Sequence, residues 1–147
     1  MEDQLVKAHV RATSTGLTTE VSAGKHTFNV DEPGQSGGKD SGPNPLQTLL
    51  GALAGCENVI SQAISKEKGM QIHAVKFDIS GVIDRRGLGG DPAVKPYFQK
   101  VEIRVVLDTP ESTDRIDELR AEVERRCPVY TLIAAANVEI DSTWEKA

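Results

Sequence analysis

With 147 residues, 38% hydrophobic and 27% charged, the chain suits one globular domain, residues 1–147, whose core needs no disulfide or metal staple. A formal net charge of −5 argues against a nucleic-acid partner, which calls for a basic patch. No apolar run approaches the roughly 20 residues of a membrane-spanning helix; Met1-Glu2-Asp3-Gln4 lacks a signal peptide's basic and apolar regions, so a cytoplasmic location with reduced thiols is expected.

Leu5 to Ala12 reads as a first strand, with Val6, Ala8 and Val10 alternating against polar neighbours. Gly16 marks a turn into a β-prone run from Thr18 to Ser22. Gly24 turns the chain again into His26–Val30, completing a three-stranded meander. Residues 31–44 hold four Gly and two Pro and form a loop. It is not a phosphate-binding loop: Gly38-Lys39 is followed by Asp40 rather than Ser or Thr, and Pro33 stands where the first Gly belongs. Gly87-Leu88-Gly89-Gly90 is not a nucleotide-binding turn either: no Gly follows at the right offset, and a strand rather than a helix comes next.

Asn44-Pro45 is a helix start, because Asn caps free amides and Pro loses nothing at the first helical position. The helix is expected to run to Lys68 and stop at Gly69. Ile72–Ile83 reads as a strand, 84–96 as a polar loop, Val101–Leu107 as another strand and Glu111–Arg126 as a helix. Pro128 breaks that helix and opens a short one with Cys127 near its N-cap, and Val138–Trp144 is the last strand. Strands, helix, strands, helices and strand together indicate an α+β fold.

Along the long helix, Leu46, Leu49, Leu50, Leu53, Ile60 and Ile64 share one stripe at about 100° per residue. Cys56 lies at its edge and Glu57 near its middle. Cys56 is either a small buried hydrophobe or a reactive thiol. A carboxylate on a core face needs a cationic or hydrogen-bonding partner, unless Glu57 snorkels to solvent. Cys127 is the more suggestive thiol, because a helix N-terminus with Arg125 and Arg126 beside it favours a thiolate. Alternatively both arginines point to water and Cys127 continues the Ile116-Leu119-Val123 stripe. His9, His26 and His73 lack the spacing of metal ligands, so no metal is expected.

Taken together, the glycine-rich loop into Gly42-Pro43-Asn44-Pro45, the apolar run ending in Ala54-Gly55-Cys56, and the late Cys127-Pro128 resemble the OsmC/Ohr family of osmotically inducible and organic hydroperoxide resistance proteins. The resemblance implies an α+β fold with a long central helix packed against antiparallel sheets, and an intertwined homodimer. It also implies that Cys56 attacks an organic hydroperoxide and becomes a sulfenic acid. Cys127 would then resolve it to a disulfide, and an external dithiol such as dihydrolipoamide would restore the pair without any bound cofactor. The chain departs from the peroxidase pattern at two points. Leu46, followed by Gln47, stands where a Glu usually follows Asn-Pro, and no Arg occupies the first hairpin. Glu57 paired with Arg85, Arg86, Arg126 or Arg11 is the expected substitute. The departures also motivate an alternative: a non-enzymatic dimer that binds a small apolar or electrophilic molecule. A third reading is a purely structural or interaction protein with inert cysteines.

Overall fold

The computed structural model describes residues 4–147, which form two compact units, one ending at Leu49 and the other beginning at Leu50. No helix among the described residues is long and apolar enough to cross a membrane.

The first unit contains an antiparallel meander of β1 (Arg11–Thr15), β2 (Thr18–Ala23) and β3 (His26–Val30). Gly16 and Gly24 open its two turns at φ of 61° and 59°, which a two-residue hairpin asks of its first turn position. The expected strand over Leu5–Ala12 is displaced towards the turn. Pairing counts back from Thr15↔Thr18 and ends at Arg11↔Ser22, one residue before β2 itself ends at Ala23 and the chain turns at Gly24. Leu5 and Val6 therefore stand exposed despite their alternation.

Beyond β3 the chain wraps a carboxylate. Buried Asp31 accepts hydrogen bonds from the backbone N–H of Glu32 at 2.8 Å, of Lys39 at 3.3 Å and of Ser41 at 3.2 Å. The hydroxyls of Ser41, at 2.7 Å, and Thr18, at 3.0 Å, donate to the same side chain. These donors hold its carboxyl well below the usual carboxylate range, the Ser41 hydroxyl foremost. Gly38 and Gly42 are required by close approach: a Cβ would strike the carbonyl of Glu32 at the first and of Asn29 at the second. The loop's donors serve Asp31, and its glycines serve packing.

Helix α1 (Pro45–Lys68) starts and stops as its local chemistry dictates. Asn44 Oδ1 accepts from Gln47 N–H at 2.8 Å, and Gln47 Oε1 accepts from Asn44 N–H at 2.9 Å, a reciprocal capping box. At the far end Gly69 takes φ 65°, and Met70 N–H reaches back to the Ser65 carbonyl. Its buried residues are Leu53, Glu57, Ser61, Ile64 and Ser65, so the core face is centred further along than the apolar stripe suggests. Leu46 and Leu49 remain exposed.

The second unit holds a sheet ordered β4 (Ala74–Val82), β5 (Lys100–Asp108), β6 (Glu139–Lys146). The 84–96 loop contains one helical turn, α2 (Arg85–Leu88), capped by Asp84. Strands β4 and β5 are antiparallel, but β5 and β6 are parallel, so this sheet is mixed rather than antiparallel as expected. The reason is the crossover formed by α3 (Thr113–Arg126) and α4 (Pro128–Ala135), which returns the chain to run beside β5 in the same direction. Central β5 alternates cleanly, burying Val101, Ile103, Val105 and Leu107. They join Ile116, Leu119 and Val123 of α3, and Leu53 and Ile64 of α1, in one core.

Candidate active site

Two sulfurs meet at the break between α3 and α4. Cys127 caps α4, its sulfur accepting the Tyr130 N–H at 3.5 Å, while its own N–H completes α3 by bonding the Val123 carbonyl. Pro128 forces this break, since it has no N–H to continue α3 and fits the first position of α4. The Cys127 thiol donates to the Cys56 sulfur at 2.9 Å, across 71 positions of sequence. Both cysteines are free; Cys56 is partly exposed and Cys127 is fully buried.

The thiol that sequence chemistry favours for activation is the one the fold suppresses. Burial, and then the hydrogen bond to Cys56, push Cys127 up to about 12, against the weaker opposing pull of the Tyr130 N–H. Neither expected arginine helps it. Arg125 is tied to Glu122 at 2.9 and 3.1 Å, and Arg126 forms a two-pronged pair with Glu67 on α1 at 2.9 and 3.0 Å. Cys127 thus keeps its proton, and Cys56 is the sulfur open to solvent.

Glu57 is fully buried on the core face of α1, and neither of its oxygens has a hydrogen-bond partner. Its carboxyl is pushed up to about 7, chiefly by loss of solvation and then by repulsion from Glu124, with Arg120 pulling the other way. The expected arginine partner is absent. Arg126 is engaged with Glu67, Arg86 with Asp84, and Arg85 and Arg11 are exposed. Gln47 is likewise spent on the α1 cap. The charges that reach Glu57 come instead from α3, where Arg120 Nε donates to Glu124 Oε1 at 3.1 Å. The Tyr130 phenol is raised by burial, and then by Glu124 and Glu57.

Arg120, Glu124 and Tyr130 are the neighbours that sequence reasoning missed. Their signal was present: Arg120 and Glu124 are one turn apart, beside the Ile116-Leu119-Val123 stripe, and Glu124 precedes Cys127 by nearly another turn. His9, His26 and His73 are exposed, and no group of three metal-ligating side chains comes together among the described residues.

A family model described as OsmC-like protein matches residues 38–143, which include both cysteines, Glu57, Arg120, Glu124 and Tyr130. The chain belongs to the OsmC-like family. A hydroperoxide reductase of Mycoplasma genitalium is 25% identical over 126 residues, covering 84% of this chain and 85% of that protein. Among solved structures, the OsmC-like protein of Mycoplasma pneumoniae shares the fold with a TM-score of 0.82 at 19% identity, over 97% of this chain and 98% of that one. The organic hydroperoxide resistance protein OhrB of Bacillus subtilis gives a TM-score of 0.63 at 19% identity, with the same coverage. These fold matches support the α+β reading of this OsmC-like chain.

Proposed function

We propose that this protein reduces organic hydroperoxides with its two thiols. The Cys56 thiolate attacks the peroxide; an S–O bond forms, the O–O bond breaks, and the alcohol leaves once protonated. The Cys56 sulfenic acid is then attacked by Cys127, giving a disulfide and water. An external dithiol returns both sulfurs to the reduced state, with no bound cofactor. The observation that carries this reading is the 2.9 Å sulfur contact between a solvent-accessible Cys56 and a shielded, protonated Cys127. Closing it to a disulfide of about 2.05 Å needs a movement of only about 1 Å. The relatives named for hydroperoxide reduction and resistance add support. A reducing, cytoplasmic setting belongs to the same reading, because the cycle begins from free thiols.

The decisive test adds an organic hydroperoxide to the reduced protein and counts remaining thiols. Consumption of both thiols with a Cys56–Cys127 disulfide is expected. Cys56→Ser should abolish turnover, and Cys127→Ser should accumulate a sulfenic acid at Cys56 that over-oxidises. Equal loss in both variants, with no sulfenic acid to trap, would overturn the assignment of roles. No thiol consumption at all, with a bound small molecule, would favour a non-enzymatic binder instead.

We further propose that the protein works as a homodimer. Val59 and Leu132 are 65% and 70% exposed, and Leu17, Phe28, Leu46 and Leu49 also present apolar surface that a second copy would cover. Sedimentation as a 15.9 kDa species at micromolar concentration would refute this.

A further inference from the structure

Glu57 is the one buried carboxylate among the described residues with both oxygens unpartnered. A buried polar group left without partners requires a reason, since leaving one unsatisfied is costly. Its surroundings supply one. Glu124 and Arg120 from α3 act on it, it acts in turn on Tyr130 from α4, and Ser61, equally buried and unpartnered, lies one turn on along α1. Glu124 and Tyr130 stand three residues before and three residues after Cys127. Glu57 therefore lies within electrostatic reach of residues on both sides of Cys127, while the Cys127 sulfur touches Cys56, the residue next to Glu57 in the chain. Cys127 has no exposed surface through which to lose a proton to water. Its attack on Cys56 requires a base inside the protein, and the base must be a group that is not already committed to a cation or a cap.

We propose that Glu57 is that base: its carboxylate takes the proton of the Cys127 thiol as the two cysteines close. The inference rests on the thiol chemistry proposed above. During peroxide turnover the Cys127–Cys56 S–S bond forms and the S–O bond of the sulfenic acid breaks, its electron pair leaving with hydroxide. Glu57 passes the thiol proton to that hydroxide, giving water and restoring the carboxylate, so no further co-reactant is consumed. The unpaired state is what suits the carboxylate to this task. An acid tied to an arginine, as Glu67 is to Arg126, would be too weak a base to accept a thiol proton. Repulsion from Glu124 strengthens Glu57 as a base, and Arg120 offsets part of that effect.

The test separates this step from peroxide chemistry. Cys56 is converted to its mixed disulfide with 5-thio-2-nitrobenzoate, and the coloured thiolate released by attack of Cys127 is followed from pH 5.5 to 9. Here Glu57 simply retains the proton or yields it to water. In the native protein the closing rate should rise with pH through an inflection near 7, as Glu57 becomes a carboxylate. Glu57→Gln should lose that inflection and close at least tenfold more slowly at pH 8, while Glu57→Asp keeps an inflection. A Glu57→Gln variant with the native rate and profile would overturn the proposal. So would one slowed equally at every pH with the inflection intact, the mark of a structural role. Circular dichroism of each variant confirms the fold. Normal closure without any reaction towards hydroperoxide would sink the peroxidase reading and leave this one standing.

Discussion

Asp31 and Glu57 are both shut away from water, and the chain treats them in opposite ways. Asp31 receives five hydrogen bonds and is held ionised below the usual carboxylate range. Glu57 receives none and is pushed up to about 7. The contrast separates two uses of a buried acid. A carboxylate saturated with donors stiffens a loop, because releasing it strands every donor at once. One left without donors stores a proton that can move near neutral pH, which is of no use to stability and of clear use beside a thiol pair.

The largest effect should come from the glycines around Asp31. Gly38→Ala drives a methyl group into the Glu32 carbonyl, so the loop must open and surrender its bonds to Asp31. Loss of the cooperative thermal transition of the first unit, or a large fall in its midpoint, is expected by calorimetry. An unchanged midpoint would mean the loop is not built around Asp31.

Asp31→Ala comes next. It leaves the N–H groups of Glu32, Lys39 and Ser41 without their acceptor and should lower the melting temperature by several degrees. Because the folded pKa of Asp31 is depressed, its stabilisation is present above its unfolded value of 3.8 and fades as pH falls below it. Asp31→Asn should therefore lose the acid-side slope of a stability–pH curve.

Glu57→Gln should move stability the other way. The folded carboxyl binds more protons than the unfolded one between 4.5 and about 7, so native stability falls as pH rises through that window and is flat above it. Removing the charge should recover on the order of 2–3 kcal/mol at pH 8 and little at pH 4.5. Urea titrations at the two pH values decide it. Destabilisation at pH 8 would reveal a hidden cation partner and break the contrast with Asp31. Ser61→Ala should matter least: its hydroxyl has no partner to lose, so the change should lie within about 1 kcal/mol of neutral, measured the same way.

Much of the fold was legible because the deciding interactions span four residues or fewer. Asn44-Pro45 with Gln47 starts α1, Gly69 ends it, Gly16 and Gly24 turn the meander, and Cys127-Pro128 divides α3 from α4. Each follows from a cap, a missing N–H or a positive φ that the residue itself dictates. The start of β1 was less legible, because a strand extends only as far as its partner does. Leu5 and Val6 alternate well and pair with nothing. The parallel pairing of β6 also lies beyond local pattern, since the same alternation serves either direction.

By itself the sequence determined most of the elements, the two cysteine contexts and the OsmC-like resemblance, all of them properties of short segments. It also placed Glu57 on a core face, from helical spacing alone. Only the tertiary structure decided which thiol keeps its proton and who surrounds Glu57. Arg125 and Arg126 are adjacent to Cys127 in sequence yet turn to Glu122 and Glu67, while Arg120 and Glu124, more than sixty positions beyond Glu57, supply its field. Desolvation and Coulomb forces act through distance in space, and the same side chains in another packing would carry different charges.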